Sequence, residues 1–232
     1  MSKDSHRMGG RNSEARATTP EFGGASQGGD GTTELKTGTT TVGLTAAEGV
    51  VLAADMRASA GNMVASKNAR KILQIHSSAA LTISGSVSAA QSLVESLRAE
   101  VRLYETRRDT TMSLNALANV TANRLRSGNF QIVQPVLGGV DDEGAHVYSI
   151  GPGGSVMEET YAASGSGSPF ALGVLEGEYD EEASVDDART TAARAVQSAT
   201  ERDTASGNGL SLATITEEGV DIDSYDRVEN AL

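Results

Sequence analysis

The stretch that decides the fold reads Lys-Thr-Gly-Thr-Thr-Thr-Val-Gly at residues 36–43, where a polar, glycine-rich leader stops and an alternating strand begins. Cleavage of the peptide bond after Gly38 would make Thr39 a new N-terminus. One residue would then carry a hydroxyl nucleophile and a free α-amine that can act as its base. Because a model α-amine has a pKa of about 7.7–8.0, it is partly neutral near pH 7, as a general base should be.

The composition offers few other pairs of nucleophile and base. The chain has no cysteine and three histidines, of which His6 lies in the leader and His76 and His146 lie in strand-like runs. We therefore expect no thiol chemistry and no metal, and the glycine-rich motifs match neither a dinucleotide fingerprint nor a P-loop, so we expect no cofactor. The alternative interpretation of residues 39–41 is a plain β-branched strand start, and the triplet alone favours it.

Length and composition predict one domain with a tail. The 232 residues are 38% hydrophobic and 3% aromatic, so the core must come mostly from Ala, Val, Leu and Ile. No run approaches the roughly 18 apolar residues of a transmembrane helix, and the leader lacks the apolar region of a secretory signal. Zero cysteine fits a reducing compartment. We predict a cytoplasmic protein without a membrane partner.

The net charge of −12 is unevenly distributed. Residues 1–38 carry five basic and five acidic side chains, so the remainder holds 14 basic and 26 acidic ones. From residue 141 onward, 20 acids face four arginines. Phosphate binding needs a basic footprint, so nucleic acid is not an expected partner. The acidic bias suits a protein kept soluble in high salt, and equally an ordinary acidic solvated face.

The order of the predicted elements indicates the fold class. The leader, residues 1–38, is too polar to offset its ordering entropy and is predicted to be disordered, which leaves a domain at 39–232 with a polar tail from 223. Strands are predicted at 39–45, 50–56, 63–65, 72–75 and 79–83, then helices at 88–107 and 113–125, strands at 131–137, 146–150 and 155–162, a short helix after the loop 164–170, a long helix from the cap Ser184 to 202, and strands at 210–215 and 220–222. This order predicts an α+β fold, a four-layer α/β/β/α sandwich.

The Gly38–Thr39 junction resembles the mature start of proteasome β subunits, the threonine proteases among the N-terminal nucleophile hydrolases. The similarity continues through most of residues 39–215. The motifs that carry it are Asp55 with Arg57, Lys67-Asn68 with Lys71, Ser84-Gly85-Ser86, Gly165 to Phe170 with Gly173-Val174-Leu175, and Arg202-Asp203 with Ser206-Gly207. Each motif is weak alone, whereas their joint order and spacing are highly specific. The Thr-Thr-Thr-Val-Gly start and the acidic, lysine-poor composition are most similar to an archaeal member.

The resemblance implies roles around the nucleophile. Thr39 would attack and its amine would serve as the base, while Lys71 beside it would be a cation that lowers neighbouring pKa values. Asp55 would hold Lys71 charged and aimed, because an unpaired buried lysine tends to lose its proton. Without the resemblance, Lys71 reads as a solvated lysine and Asp55 as an acid at the end of a hairpin.

The resemblance also implies an outer group and an oxyanion donor. Ser166, Asp203 and Ser206 would surround the new amine and a bound water, although serine and aspartate are also common in glycine-rich turns. Gly85 would offer its backbone N–H to the oxyanion, and losing such a donor typically costs about 3–4 kcal/mol in the barrier. The alternative for Gly85 is a plain turn glycine.

At the level of function, the resemblance implies a threonine endopeptidase that removes its own leader after Gly38. It implies seven-membered β rings stacked face to face and flanked by α-subunit rings, with unfolded proteins as substrates and an unfoldase ATPase acting through the α rings. By family position, the substrate side chain would meet Ala58, Ala69, Ile83 and Val87, a small apolar lining that favours cutting after hydrophobic residues. Two alternatives stay open: a catalytically silent ring subunit, and another N-terminal nucleophile amidohydrolase that acts on a small molecule.

Overall fold

The computed structural model describes residues 38–127, 130 and 133–232. The predicted leader therefore lies outside the described residues except for Gly38, as do residues 131 and 132 of one predicted strand. Among the described helices, none combines the length and apolar character needed to cross a membrane.

Twelve strands and four helices make up the described domain. The strands are β1 Thr41–Ala46, β2 Gly49–Asp55, β3 Ala58–Ala60, β4 Met63–Ser66, β5 Ile72–His76, β6 Ala79–Thr82, β7 Val136–Asp141, β8 Gly144–Ile150, β9 Val156–Glu159, β10 Tyr161–Ser164, β11 Leu210–Thr216 and β12 Gly219–Tyr225. The helices are α1 Val87–Arg108, α2 Leu114–Arg126, α3 Ser168–Glu178 and α4 Val185–Arg202, and a 3₁₀ turn, Val228–Ala231, follows the last strand.

Two five-stranded antiparallel sheets form the centre of the fold. The first has the order β10-β1-β2-β11-β12 and the second β5-β6-β7-β8-β9, while β3 and β4 form a separate hairpin. One apolar cluster joins α1 and α2 to the second sheet, another joins α3 and α4 to the first, and a third lies between the sheets. The predicted four-layer α/β/β/α sandwich is thus confirmed.

Strand β2 is buried along its whole length, and its position explains why the charged residue at its end is also buried. Every residue from Gly49 to Asp55 is buried, since the strand pairs with β1 on one side and β11 on the other. Val51 and Ala53 face α4, whereas Leu52 and Ala54 face the second sheet, which is the alternation expected of a strand. The carboxylate of Asp55, the residue after Ala54, therefore lies in the protein interior.

Serine residues form the N-caps of three of the helices. Ser86, Ser113 and Ser184 cap α1, α2 and α4 by accepting hydrogen bonds from the backbone N–H three residues later, and such caps typically contribute about 1 kcal/mol each. Ser184 was predicted in this role from its position before two aspartates. The buried face of α4 consists almost entirely of alanine, which lets the helix lie close to the first sheet.

The prediction of a single strand at 155–162 is wrong. It consists of β9, at the edge of the second sheet, and β10, at the edge of the first. Thr160 lies between them, and its carbonyl accepts the backbone N–H of Thr45 at 2.9 Å. The chain passes from one sheet to the other here, and the sequence of residues 155–162 contains no glycine or proline that would reveal such a crossing. The final strand also runs to Tyr225, beyond the predicted start of the polar tail, and Val228 is buried.

Candidate active site

Six of the seven predicted site residues meet at one end of the first sheet. Thr39 comes just before β1, and Asp55 is the last residue of β2. Lys71 precedes β5, while the loops that flank α3 and α4 supply the other three. These three are Ser166, Asp203 and Ser206. Segments far apart in the chain are thereby brought together by the antiparallel pairing of β1, β2 and β11 and by α4, which covers them.

Thr39 is almost fully buried, at 5% exposure. Its hydroxyl donates to the carbonyl oxygen of Gly38 at 2.6 Å, and its backbone N–H donates to Ser166 Oγ at 3.2 Å. Its own carbonyl accepts the N–H of Gly167 at 3.3 Å. Both groups that a terminal threonine would use, the hydroxyl and the nitrogen, are thus held by specific contacts.

Asp55 accepts four hydrogen bonds in a fully buried position. Its Oδ1 accepts from Lys71 Nζ at 2.6 Å and from the Thr40 N–H at 2.9 Å. Its Oδ2 accepts from the N–H groups of Arg57, at 3.0 Å, and Gly207, at 2.8 Å. A buried carboxylate is tolerated only when it is paired and bonded in this way. Asp55 therefore holds together Lys71, the chain just before β1 and the 203–208 loop through its hydrogen bonds.

The electrostatics of Lys71 follow from its burial. Its side chain is 6% exposed, and burial lowers the pKa of its ammonium from the ordinary value of 10.5. The negative charge and hydrogen bond of Asp55 oppose this shift in pKa, as does the more distant charge of Asp203, whereas Arg57 adds to it. Asp55 is therefore the main compensation for the hydration that the buried cation has lost.

Asp203 organises the hydroxyl groups of the site. Its Oδ2 accepts from Ser166 Oγ at 2.6 Å and from Ser206 Oγ at 2.7 Å, and its Oδ1 accepts from the Ala205 N–H at 3.2 Å. Ser166 in turn receives the N–H of Thr39. The hydrogen bonds of Asp203 and the two serines therefore extend to the Thr39 nitrogen, which would become the α-amine.

Gly85 is the predicted site residue that these contacts do not bring to Thr39. It follows β6 with a φ of +107°, a conformation that favours glycine, and it forms an isolated antiparallel bridge with Val133. Two residues earlier, the N–H of Ile83 donates to the carbonyl of Lys71 at 2.8 Å. Within the part of the chain that the structure describes, no hydrogen bond joins Gly85 to the cluster around Thr39, and its role as oxyanion donor stays a prediction.

The residues predicted to meet a substrate side chain lie near Lys71 in sequence or on adjoining elements. Ala58 begins β3, and the N–H of Ala69 donates to the Met56 carbonyl at 2.9 Å. Ile83 is buried, while Val87 is 50% exposed at the start of α1. Their role in specificity stays a prediction.

Two features of the site were not predicted from the sequence. Thr40 donates its N–H to Asp55 and shares a hydrogen bond of 2.7 Å with Ser206 Oγ, but a threonine in a strand gives no signal of such contacts. A Cβ on Gly38 would also collide with Ala205. The glycine before Thr39 is therefore required by the close approach of Ala205 in the 203–208 loop, and the Gly-Thr pair in the sequence was a signal of that constraint.

Known proteins that are similar to this chain are proteasome subunits. The family model described as "Proteasome subunit" matches residues 35–215. A proteasome subunit beta of Halorubrum lacusprofundi is 59% identical over 203 residues, covering 88% of this chain and 84% of the relative. Those of Haloquadratum walsbyi and Haloferax volcanii are 59% identical over 199 residues (86% and 82% covered) and 57% identical over 211 residues (90% and 87% covered).

The family match, over a fold of the expected class, defines a subunit of a protein-degrading, multi-subunit particle. The chain belongs to the proteasome subunit family, as a β subunit of the core particle of the archaeal type. The resemblance inferred from the sequence is confirmed, and membership implies a protease that assembles with other subunits.

Proposed function

We propose that this β subunit is a threonine endopeptidase whose nucleophile is Thr39, exposed as an N-terminus by cleavage after Gly38. The observation that carries the proposal is a pair of contact sets, one to Thr39 itself and one to the residue that follows it. The Thr39 nitrogen contacts the Ser166–Asp203 pair, while Asp55 Oδ1 holds both the Thr40 N–H and the Lys71 ammonium. A hydroxyl, a future amine and a paired cation are thereby organised by one set of contacts.

The same hydroxyl would also release the leader. Thr39 Oγ1 donates a hydrogen bond to the Gly38 carbonyl oxygen at 2.6 Å, and the carbon of that carbonyl is the atom that the hydroxyl would attack. The new bond is an ester between Gly38 and Thr39 Oγ1, and the broken C–N bond leaves the nitrogen as an amine. Water then hydrolyses the ester, so that Gly38 departs as a carboxylate and the hydroxyl is restored.

Peptide hydrolysis would use the same atoms. Thr39 Oγ1 attacks the substrate carbonyl as the amine accepts its proton, and the amine returns that proton to the leaving nitrogen. The positive charge of Lys71 favours the deprotonated hydroxyl and the uncharged amine. Ser166, Asp203 and Ser206 orient the amine and the water that hydrolyses the acyl-enzyme ester, and Gly85 donates to the oxyanion.

The assembly would confine this chemistry. We propose seven-membered β rings stacked between α-subunit rings in the cytoplasm, with an unfoldase ATPase delivering unfolded proteins through the α rings. While the leader is attached, the Thr39 nitrogen is part of a peptide bond and cannot act as a base, which protects the cell until the particle has formed. The family match supports a ring subunit and argues against a small-molecule amidohydrolase.

The decisive experiment compares Thr39→Ala with Thr39→Ser in assembled particles. We expect Thr39→Ala to keep its leader and to leave fluorogenic hydrophobic peptides uncut, while Thr39→Ser retains the hydroxyl and part of the activity. A threonine-directed inhibitor should abolish cleavage by the unmodified protein. Normal peptide cleavage by Thr39→Ala would contradict the proposal, and an inactive, inhibitor-resistant unmodified particle would favour the silent ring subunit.

A further inference from the structure

Thr40 presents a buried hydroxyl where the strand otherwise presents apolar side chains. It immediately precedes β1 and continues the alternation that places Val42 and Leu44 in the core beneath α3 and α4. Its exposure is 0%. A buried hydroxyl is unfavourable unless it is hydrogen-bonded, and valine would match the shape of threonine without that requirement. The hydroxyl therefore calls for a specific explanation.

The hydrogen-bond pattern fixes the direction of its contact. Thr40 Oγ1 and Ser206 Oγ are 2.7 Å apart. Ser206 has one hydroxyl proton, which it donates to Asp203 Oδ2 at 2.7 Å, and an ionised carboxylate cannot donate. Thr40 must therefore be the donor to Ser206. A Cβ on Gly167 would collide with Thr40 Oγ1, so the glycine leaves the space that this hydroxyl occupies.

These bonds complete a closed path around Thr39. Starting at the Thr40 hydroxyl, the path runs through Ser206 to Asp203 Oδ2, where Ser166 also donates at 2.6 Å. Ser166 then accepts the N–H of Thr39 at 3.2 Å, and Thr39 is bonded covalently to Thr40. Hydrogen bonds linked in this way polarise and orient one another. The hydroxyl one residue after the nucleophile thus acts on the group that faces the nucleophile's own nitrogen.

We infer that Thr40 is a positioning residue for the protease reaction, whose hydroxyl orients Ser206 and through it the Asp203 group against the α-amine of Thr39. This inference rests on the proposed function, because it assigns Thr40 a role only if that amine is the base. Thr40 makes no contact that depends on a substrate, so its loss should slow turnover and leave substrate affinity unchanged.

The test uses three substitutions in the assembled particle. Thr40→Val keeps the shape and removes the hydroxyl, whereas Thr40→Ser keeps the hydroxyl. Thr41→Val is the matched control, since Thr41 is the next residue, is also buried, and has no hydrogen-bond partner for its Oγ1 among the described residues. Turnover is counted per free Thr39 terminus, determined by intact mass, so that incomplete leader removal does not enter the comparison.

We expect Thr40→Val to lower kcat roughly tenfold, the effect of one lost hydrogen bond, with KM and the melting temperature close to those of the unmodified particle. Thr40→Ser should recover most of the rate, and Thr41→Val should retain it. In a double-mutant cycle, Thr40→Val should add little to Ser206→Ala, because both break the same path.

Three results would overturn the inference: an unchanged kcat in Thr40→Val, an equal loss in Thr41→Val, or a Thr40→Ser protein as slow as Thr40→Val. Thr39→Ala is assayed in parallel to separate the two claims. A Thr40→Val particle at the unmodified rate beside an inactive Thr39→Ala particle refutes the role of Thr40 alone. An active Thr39→Ala particle refutes the proposed function itself.

Discussion

Two carboxylates flank the candidate nucleophile, and they hold different kinds of group. Asp55 is fully buried at the end of the central strand and binds one ammonium and three backbone N–H groups. Asp203, half-buried at the end of α4, binds two serine hydroxyls and one backbone N–H. The first is fixed by the backbone and compensates a charge, whereas the second is surrounded by side chains and sets orientation. Substitutions at the two positions should therefore differ in how much they reduce stability and activity, and in whether they act through charge or through orientation.

Asp55→Asn should have the larger effect of the two. It removes the charge that compensates Lys71 and turns an NH₂ group toward donors such as the N–H of Gly207. Breaking one side of a buried ion pair typically costs about 3–5 kcal/mol, so we expect the free energy of unfolding to fall by that amount and peptide hydrolysis to fall at least ~100-fold. Denaturant unfolding and a peptide assay measure the two effects. If Asp203→Asn proves more damaging on both measures, the comparison is reversed.

Lys71→Met separates charge from structure at the same site. Asp55 keeps its three backbone donors, so stability should fall less than in Asp55→Asn, while the loss of the cation should slow hydrolysis by about 10²–10³-fold. The double variant Asp55→Asn/Lys71→Met should be more stable than Asp55→Asn alone, because no unpaired cation is left in the interior. A double variant that is less stable than either single one would show that the pair is not the main reason for burying Asp55.

Asp203→Asn should have a moderate effect. An amide can still accept one of the two serine hydroxyls, so we expect a loss of about 1 kcal/mol in stability and a drop in kcat of about tenfold. Glu201→Gln is the control, since Glu201 is an exposed acid on the same helix and should leave both quantities unchanged. Equal effects of the two substitutions would indicate that Asp203 acts only through the surface charge of α4.

The smallest expected effect concerns pH. Burial lowers the pKa of Lys71, so a reaction that needs the charged lysine should slow as pH rises through that lowered value. Stability depends on pH in the opposite direction to this reaction rate. Between the lowered value and the 10.5 of an ordinary lysine, the unfolded chain binds more protons, and stability increases with pH.

Lys71→Arg provides the check on this pH dependence. Arginine stays charged throughout this range, so the alkaline limb of the kcat/KM profile should move to higher pH in Lys71→Arg even if the overall rate is lower. A limb at the same pH in both proteins would assign the alkaline decline to another group.

The parts of the molecule that were predictable from the sequence are those that local chemistry or ordered spacing defines. Ser184 before two aspartates predicted the start of α4, and the apolar periodicity of residues 88–107 predicted α1 to within one residue at each end. The Gly38–Thr39 junction, with Lys71 at family spacing, indicated the class of protein that the comparisons then confirmed.

The remainder depends on contacts between distant segments. The crossing at Thr160 between the two sheets could not be predicted from the sequence, because no glycine or proline separates β9 from β10. The hydrogen bonds from Thr40 and Gly207 to Asp55 join residues up to 152 positions apart. Thr40 itself was hidden, since threonine is common in strands for reasons of shape alone.

The account depends on Thr39 becoming a free N-terminus that serves as nucleophile and base together. The most direct test is the intact mass and N-terminal sequence of the subunit from purified particles that are actively digesting peptides. We predict a chain that begins at Thr39 with an unmodified amine. A chain that still carries Gly38, or a blocked Thr39 amine, in particles that digest peptides at the normal rate would contradict the mechanism.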